Sequence, residues 1–329
     1  MTQTTTQATT ENMGSPSSEA PPVWSATPTP LQADFRIDAA SVARMMRHHA
    51  GLGVNGVFLG GSCGEGPWLR WADLEELTRV ASGENAGGLE LAVQVTDNSP
   101  LRMIDHAERF AACGAQAVVM AGPSFIFRAT PERVLNTYLE VVRNSPLPVI
   151  VYDRGAMDRY VLPVADLEEL YAEPRLLMIK DSSGDNERMA AALRAKEKNP
   201  QLKLLDGDEF NCVHYLRSGY DGLLLGGAIF NGRLAVKLAK AAKAGRFDEA
   251  EALQARMNEL MWRVYGGKTI ACWMSGLKYL LHKMGIFAEM HSLLEYPLPD
   301  EYRLAMDEIL SGPDADKFAD DLRTTACTF

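Results

Sequence analysis

Three stretches of the 329-residue chain carry side chains suited to covalent or acid–base work. In LLMIKDSSGD, residues 176–185, an apolar run of Leu176, Leu177, Met178 and Ile179 ends in Lys180 and turns polar. A lysine where a buried strand leaves the core is costly if charged. Desolvation lowers the pKa of such an amine, and the free amine attacks carbonyl carbon to form a Schiff base. The competing reading pairs Lys180 with Asp181 or Asp185 at a strand end. In PVIVYD, residues 148–153, Tyr152 stands at the equivalent strand end. It is placed either to relay a proton to a carbinolamine oxygen or to pack as a ring with a bonded hydroxyl. In GGSCGE, residues 60–65, Gly60, Gly61 and Gly64 surround Ser62 and Cys63. Successive N–H groups of such a loop can hold a carboxylate or phosphate, with the Ser62 hydroxyl as a further donor, or the loop is a plain strand-to-helix turn. Cys63 reads first as a small buried filler, then as a weak donor or a reactive thiol.

These residues need elements that bring them to one place. From Val23 onward, short apolar runs alternate with amphipathic stretches. The runs are VWSA (23–26), GVFLGG (56–61), LELAVQV (89–95), AQAVVMAG (115–122), PVIVYD (148–153), LLMIKD (176–181), LKLLDGD (202–208) and GLLLGGA (222–228). They are rich in Val, Leu and Ile and do not alternate polar with apolar, as in parallel strands buried on both faces. Between them, Asp38 caps a helix with Val42, Met45 and Met46 on its apolar face. Leu74, Leu77 and Ala81 mark a second helix, Thr130–Pro131 starts a third, and Met189 and Leu193 mark one after Asp185. Eight such units predict a (β/α)8 TIM barrel, with a doubly wound open sheet as the competing arrangement. No GxGxxG follows the first strand, which removes the usual dinucleotide version of that sheet.

In a barrel, Lys180, Tyr152 and the Ser62 loop share the mouth formed by the C-terminal strand ends. Gly207 in DGDE (206–209) and Gly227 in GGA (226–228) end strands seven and eight, and either admit a substrate close to the backbone or simply turn the chain. After about residue 230 the strands stop. Helices are expected over Ala250–Val264, over 268–285 with Ile270 and Trp273 on its apolar face, and over Asp300–Ser311. The expected organisation is a disordered tail at 1–22, a barrel at 23–235 and a C-terminal helical extension at 236–329.

Charge and composition narrow the function. Thirty-three basic against 43 acidic residues give a net charge of −10, which disfavours nucleic acid and anionic membrane surfaces as partners. No apolar run reaches membrane-spanning length, and the Thr-, Ser- and Pro-rich N-terminus lacks the basic and apolar regions of a secretory signal. Five cysteines without a CxxC pair read as reduced thiols of a cytoplasmic protein. The six histidines form no HExxH and no ligand cluster, so no metal is expected. His48 and His49, before Gly51, are expected as solvated cations at a helix C-terminus.

Taken in order, SATPTPL, GVFLGGSCGEGPWL, VIVYD and LLMIKDSSGD, with LLDGDEF and GGA at matching places, make the chain resemble a known family over about residues 23–290. This is the dihydrodipicolinate synthase and N-acetylneuraminate lyase family of pyruvate-dependent class I aldolases. The resemblance implies Lys180 as the Schiff-base lysine and Tyr152 as the proton-shuttling tyrosine. It further implies Gly61, Ser62 and Cys63 as the loop that binds the keto-acid carboxylate, and Gly207 and Leu224 as main-chain positions lining the pocket. It also implies a homotetramer built from tight dimers. The chain departs from the family pattern in three places. Cys63 stands where threonine is usual. Phe125 replaces a tyrosine that reaches into the neighbouring subunit in the synthase branch. Met157 replaces the arginine that grips the second substrate's carboxylate there. Arg154 or Arg159 is positioned to substitute, and Arg154 is similar to the pattern of the branch that dehydrates 5-dehydro-4-deoxyglucarate.

The expected activity is aldol cleavage or condensation of pyruvate or a longer 2-keto acid with an aldehyde partner, without a metal or organic cofactor. Its rivals are dehydration of a keto-sugar acid, a catalytically silent barrel that binds a keto acid for regulation, and a metal-dependent barrel enzyme.

Overall fold

A computed structural model describes residues 20–324. The expected tail therefore lies outside the described residues apart from its last three positions. Eight strands close into a barrel in chain order, every neighbouring pair parallel. They are β1 (Val23–Ala26), β2 (Gly56–Leu59), β3 (Glu90–Gln94), β4 (Ala117–Met120), β5 (Val149–Asp153), β6 (Leu176–Asp181), β7 (Lys203–Asp206) and β8 (Gly222–Leu225). The open-sheet alternative is thereby excluded. Six of the eight are buried along their whole length or nearly so, which is why the runs lack alternation. The floor of the barrel is plugged by Trp24. Its ring fits because Gly56, its partner across β1 and β2, has no side chain: a Cβ there would lie 2.7 Å from the indole.

Helices follow the strands: α1 (Ala39–Ala50), α2 (Trp71–Gly83), α3 (Pro100–Ala112), α4 (Pro131–Asn144), α5 (Val164–Tyr171), α6 (Asn186–Lys198), α7 (Cys212–Ser218) and α8 (Ala228–Lys243). The caps predicted at Asp38 and Thr130 are present, and Asp185 caps α6 in the same way, each side-chain oxygen accepting an N–H of the first turn. In α6 the buried face is carried by Arg188, Ala191, Ala192 and Ala195, with Met189 and Leu193 half-buried beside it. The extension comprises α9 (Phe247–Tyr265), α10 (Trp273–Lys283), α11 (Asp300–Ser311) and the short α12 (Ala315–Phe318). α9 lies against α8, and α10 and α11 lie against α9. The expected barrel limit at residue 235 falls inside α8, which is one continuous helix.

Two expectations are corrected. The helix expected over 268–285 begins only at Trp273. Gly266 and Gly267, both with positive φ, end α9, and a turn with Ile270 at φ 53° separates the two helices. His48 and His49 are buried and not solvated. The His48 ring bonds the Ile229 carbonyl at 2.7 Å, and His49 bridges the Met45 carbonyl and the Ser25 hydroxyl. Burial pushes them down to about 4 and about 3, so both are neutral at ordinary pH. The last turn of α1 packs inward beneath β1 and α8, and this burial outweighs the pull of the helix terminus.

Candidate active site

Strand register decides which side chains share the barrel interior. Tyr152 on β5 is the direct partner of Lys180 on β6, and Lys180 is in turn the partner of Leu205 on β7. Register partners point the same way, so Tyr152 and Lys180 emerge together at the mouth. Both are nearly inaccessible, at 8% and 5%. The Lys180 amine sits 4.1 Å from the Tyr152 ring centroid and 5.4 Å from that of Phe58, and the two rings meet edge to face. Phe58 was not singled out from the sequence. The available signal was its spacing on β2, two residues before Gly60, which places it on the inward face.

Lys180 is not tied to the carboxylates beside it in sequence. Asp181 points to the other face of β6 and accepts the Tyr220 hydroxyl at 2.6 Å and the Ser183 hydroxyl at 2.7 Å. Asp185 caps α6. Among the described residues Lys180 forms no salt bridge. Its stem instead fills the space opposite Gly207, where a Cβ would stand 2.8 Å from Lys180 Cε.

Behind this inward row runs an outward row of aspartates in the same register, Asp153, Asp181 and Asp206. Each Oδ1 accepts the N–H two residues on: Gly155 at 2.9 Å, Ser183 at 2.9 Å and Asp208 at 2.8 Å. The same local turn thus fixes the chain directly after Tyr152, Lys180 and Leu205. Arg188 grips the Asp153 carboxylate through Nε and a terminal nitrogen, and the Tyr171 hydroxyl adds a bond of 2.9 Å. Burial pushes the carboxyl of Asp206 well above the usual range.

The GGSCGE loop faces this pair across the mouth. It folds back on itself: Glu65 N–H donates to the Ser62 carbonyl and Gly66 N–H to the Gly61 carbonyl, both at 3.2 Å. The Thr29 hydroxyl braces it at the Gly64 carbonyl, 2.6 Å away. Gly61 lies over Phe58, whose ring leaves no room for a Cβ. Ser62 is half-buried and its hydroxyl bonds no other described side chain or carbonyl. The Cys63 thiol is buried and lies 3.8 Å from the Gly226 carbonyl. Burial, reinforced by the Glu209 carboxylate, pushes it up to about 12, so it is a neutral thiol and a weak donor. Glu209 accepts the Gly227 N–H at 2.7 Å, and burial raises its pKa against the pull of that bond and of the Tyr265 hydroxyl.

The remaining predicted positions spread outward. Leu224 is fully buried on β8, below Gly226. Arg154 is engaged by Asp158 through an ion pair and lies 5.8 Å from the Tyr152 ring centroid. It lines a cleft of about 410 Å³ with Gln94, Thr96, Asn98, Ser124 and Trp71. Phe125 and Met157 stand on the rim, 64% and 66% exposed, and neither supplies a polar group to the mouth. No group of three or more metal-ligating side chains occurs among the described residues.

A closed barrel with a buried lysine and tyrosine paired at its mouth is the arrangement that class I aldolase chemistry calls for. The profile of the Dihydrodipicolinate synthetase family matches residues 21–312, and the chain belongs to that family of Schiff-base-forming, pyruvate-dependent lyases and aldolases. The N-acetylneuraminate lyase of Rhizobium meliloti is 31% identical over 243 residues, 73% of this chain and 78% of the relative. Dihydrodipicolinate synthase from Bacteroides thetaiotaomicron shares the fold with a TM-score of 0.79 at 24% identity, over 88% of this chain and 97% of that one. A prophage protein of the dihydrodipicolinic acid synthase family from Escherichia coli K12, solved in complex with pyruvate, superposes with a TM-score of 0.77 at 19% identity, over 88% and 97%.

Proposed function

We propose that Lys180 attacks the carbonyl carbon of pyruvate or a longer 2-keto acid and forms an imine with loss of water. The imine draws electrons from the adjacent carbon. A C–C bond then breaks to release an aldehyde or, in the other direction, the enamine attacks one. Tyr152 carries protons to and from the carbinolamine oxygen. The N–H groups of Gly61, Ser62 and Cys63, with the Ser62 hydroxyl, hold the carboxylate. The reading rests above all on one observation: the Lys180 amine is buried against the Tyr152 ring with no carboxylate among the described residues paired to it. The imine itself is the electron sink, so this chemistry calls for no metal or organic cofactor.

Dehydration of a keto-sugar acid is the second reading, favoured by Arg154 beside Gln94, Thr96 and Asn98 in the cleft and by the lack of polar groups at Phe125 and Met157. Product analysis separates the two, because cleavage yields pyruvate and an aldehyde whereas dehydration yields one product lighter by water. Trp68, Leu101, Phe125, Phe127 and Met157 are exposed apolar groups in segments that follow β2 to β5 at the mouth end. A second copy of the chain is the partner we propose for them, within a tetramer of tight dimers. No helix among the described residues is long and apolar enough to cross a membrane, and a cytoplasmic location fits the four free cysteines among those residues. Borohydride reduction in the presence of pyruvate tests the reading through a covalent adduct on Lys180.

A further inference from the structure

Glu65 ends the GGSCGE loop with a left-handed backbone, φ 57°, and no exposed surface. A residue other than glycine holds that conformation only where its surroundings impose it. Here they come from the C-terminal extension. Lys278 on α10, equally without exposed surface, forms an ion pair with Glu65 Oε1. Glu65 Oε2 accepts the Ser292 hydroxyl at 2.9 Å and the N–H groups of Leu293 and Leu294. Lys278 also donates to the His291 carbonyl at 2.6 Å, so it joins the segment 291–294 to the loop. That segment is anchored to the barrel a second time through α1: Arg44 Nε donates to the Ile286 carbonyl and the Ala288 N–H to Ser41 Oγ, both at 2.9 Å. The extension thus reaches the GGSCGE loop through a buried charge pair and the hydrogen bonds around it.

We infer that Lys278 is a positioning residue: through Glu65 it sets the backbone of residues 61–63, and with it the affinity for the keto-acid carboxylate. The inference rests on the proposed role of that loop. Removing the ammonium leaves a buried, uncompensated carboxylate that turns toward solvent. Glu65 then relaxes from the left-handed region and rotates the peptide units before it, which carry the N–H groups that face the carboxylate. Lys180 and Tyr152 stand on other strands and keep their geometry. The effect therefore falls on substrate affinity and leaves the imine chemistry intact.

The test compares the parent with Lys278→Met, Glu65→Gln and the doubly neutral Glu65→Gln/Lys278→Met. The readout is the pyruvate concentration that gives half-maximal borohydride trapping, together with the trapping rate at saturation. Half-saturation does not depend on how much of the sample is folded, so a purely structural defect does not move it. Lys278→Met is expected to raise half-saturation at least tenfold with the saturated rate within threefold of the parent. The double variant is expected to recover part of that loss, because a neutral amide can still accept from Leu293 and Ser292. If Lys278→Met does not fold, the double variant decides: half-saturation shifted at least threefold supports the inference. Half-saturation within twofold of the parent in whichever of these variants folds overturns it. Absence of trapping in the parent is a different result and overturns the proposed function.

Discussion

Gly207→Ala probes the space that Lys180 needs. Gly207 is outside the positive-φ region, so alanine meets no backbone penalty and its effect is steric. The added Cβ stands 2.2 Å from Ser182 Oγ, 2.8 Å from Lys180 Cε and 3.1 Å from Lys180 Cγ. Ser182 Oγ is buried without a partner and rotates away at little cost. The lysine is backed at its amine by the Tyr152 ring, 4.1 Å from that ring's centroid, so its stem has less room to yield. Carbon atoms pack at about 3.5 Å or more, so Cε moves by about 0.7 Å. Overpacking of this size costs roughly 1–3 kcal/mol of stability, a modest loss. Displacing a reacting atom by about 1 Å costs on the order of 100-fold in rate. The assay is a rapid-quench borohydride reaction with pyruvate, read by intact mass, alongside denaturant unfolding. Gly226→Ala is the control. Its Cβ meets Cys63 Sγ at 3.4 Å and Glu209 Oε2 at 3.7 Å, ordinary contacts. We expect imine formation to slow 30- to 100-fold in Gly207→Ala, by the same positional argument, and to stay within threefold in Gly226→Ala. Parental rates in folded Gly207→Ala would refute the claim that the lysine is held by this gap.

Three further outcomes follow from the same geometry. Tyr152→Phe keeps the ring beside Lys180 and removes the hydroxyl, so turnover should fall by roughly 100- to 10,000-fold while the fold is retained; stopped-flow turnover against circular dichroism checks this. Arg188→Met strips the buried Asp153 of its charge partner and should destabilise the chain by roughly 3–5 kcal/mol in urea unfolding. For His48 and His49 the folded pKa values lie below the ordinary 6.5, so between about pH 6.5 and 4 the unfolded chain binds protons that the folded chain refuses. Their stabilisation is complete above pH 6.5 and is lost as the pH falls, His48 alone accounting for roughly 3 kcal/mol. The raised carboxyls of Asp206 and Glu209 pull in the opposite sense, so the measured quantity is the difference in urea midpoint between the parent and His49→Gln, which should shrink from pH 7 to pH 4.

The strands were legible because each is a short apolar run and most end in glycine or aspartate; VWSA and LLMIKD coincide with β1 and β6 to the residue. Caps at Asp38 and Thr130 were legible because the capping bond is made within three residues. The pairing of Tyr152 with Lys180 follows once the barrel closes, since adjacent strands bring their ends together. What escaped depends on contacts distant in the chain. His48 and His49 looked like a helix terminus because the packing of α1 beneath β1 and α8 has no local signature. Ile270 fits a helical stripe, yet two left-handed glycines before it turn the backbone out of the helix. Glu65 read as the end of a loop motif, and nothing near it announces Lys278. Phe58 passed as one more core residue until the register placed its ring against the amine.

The most direct measurement is sodium borohydride reduction of the full chain with pyruvate, followed by peptide mass spectrometry. A single reduced pyruvyl adduct is expected on Lys180, absent from Lys180→Ala. No adduct on Lys180 in folded protein, with pyruvate or with longer 2-keto acids, would contradict it.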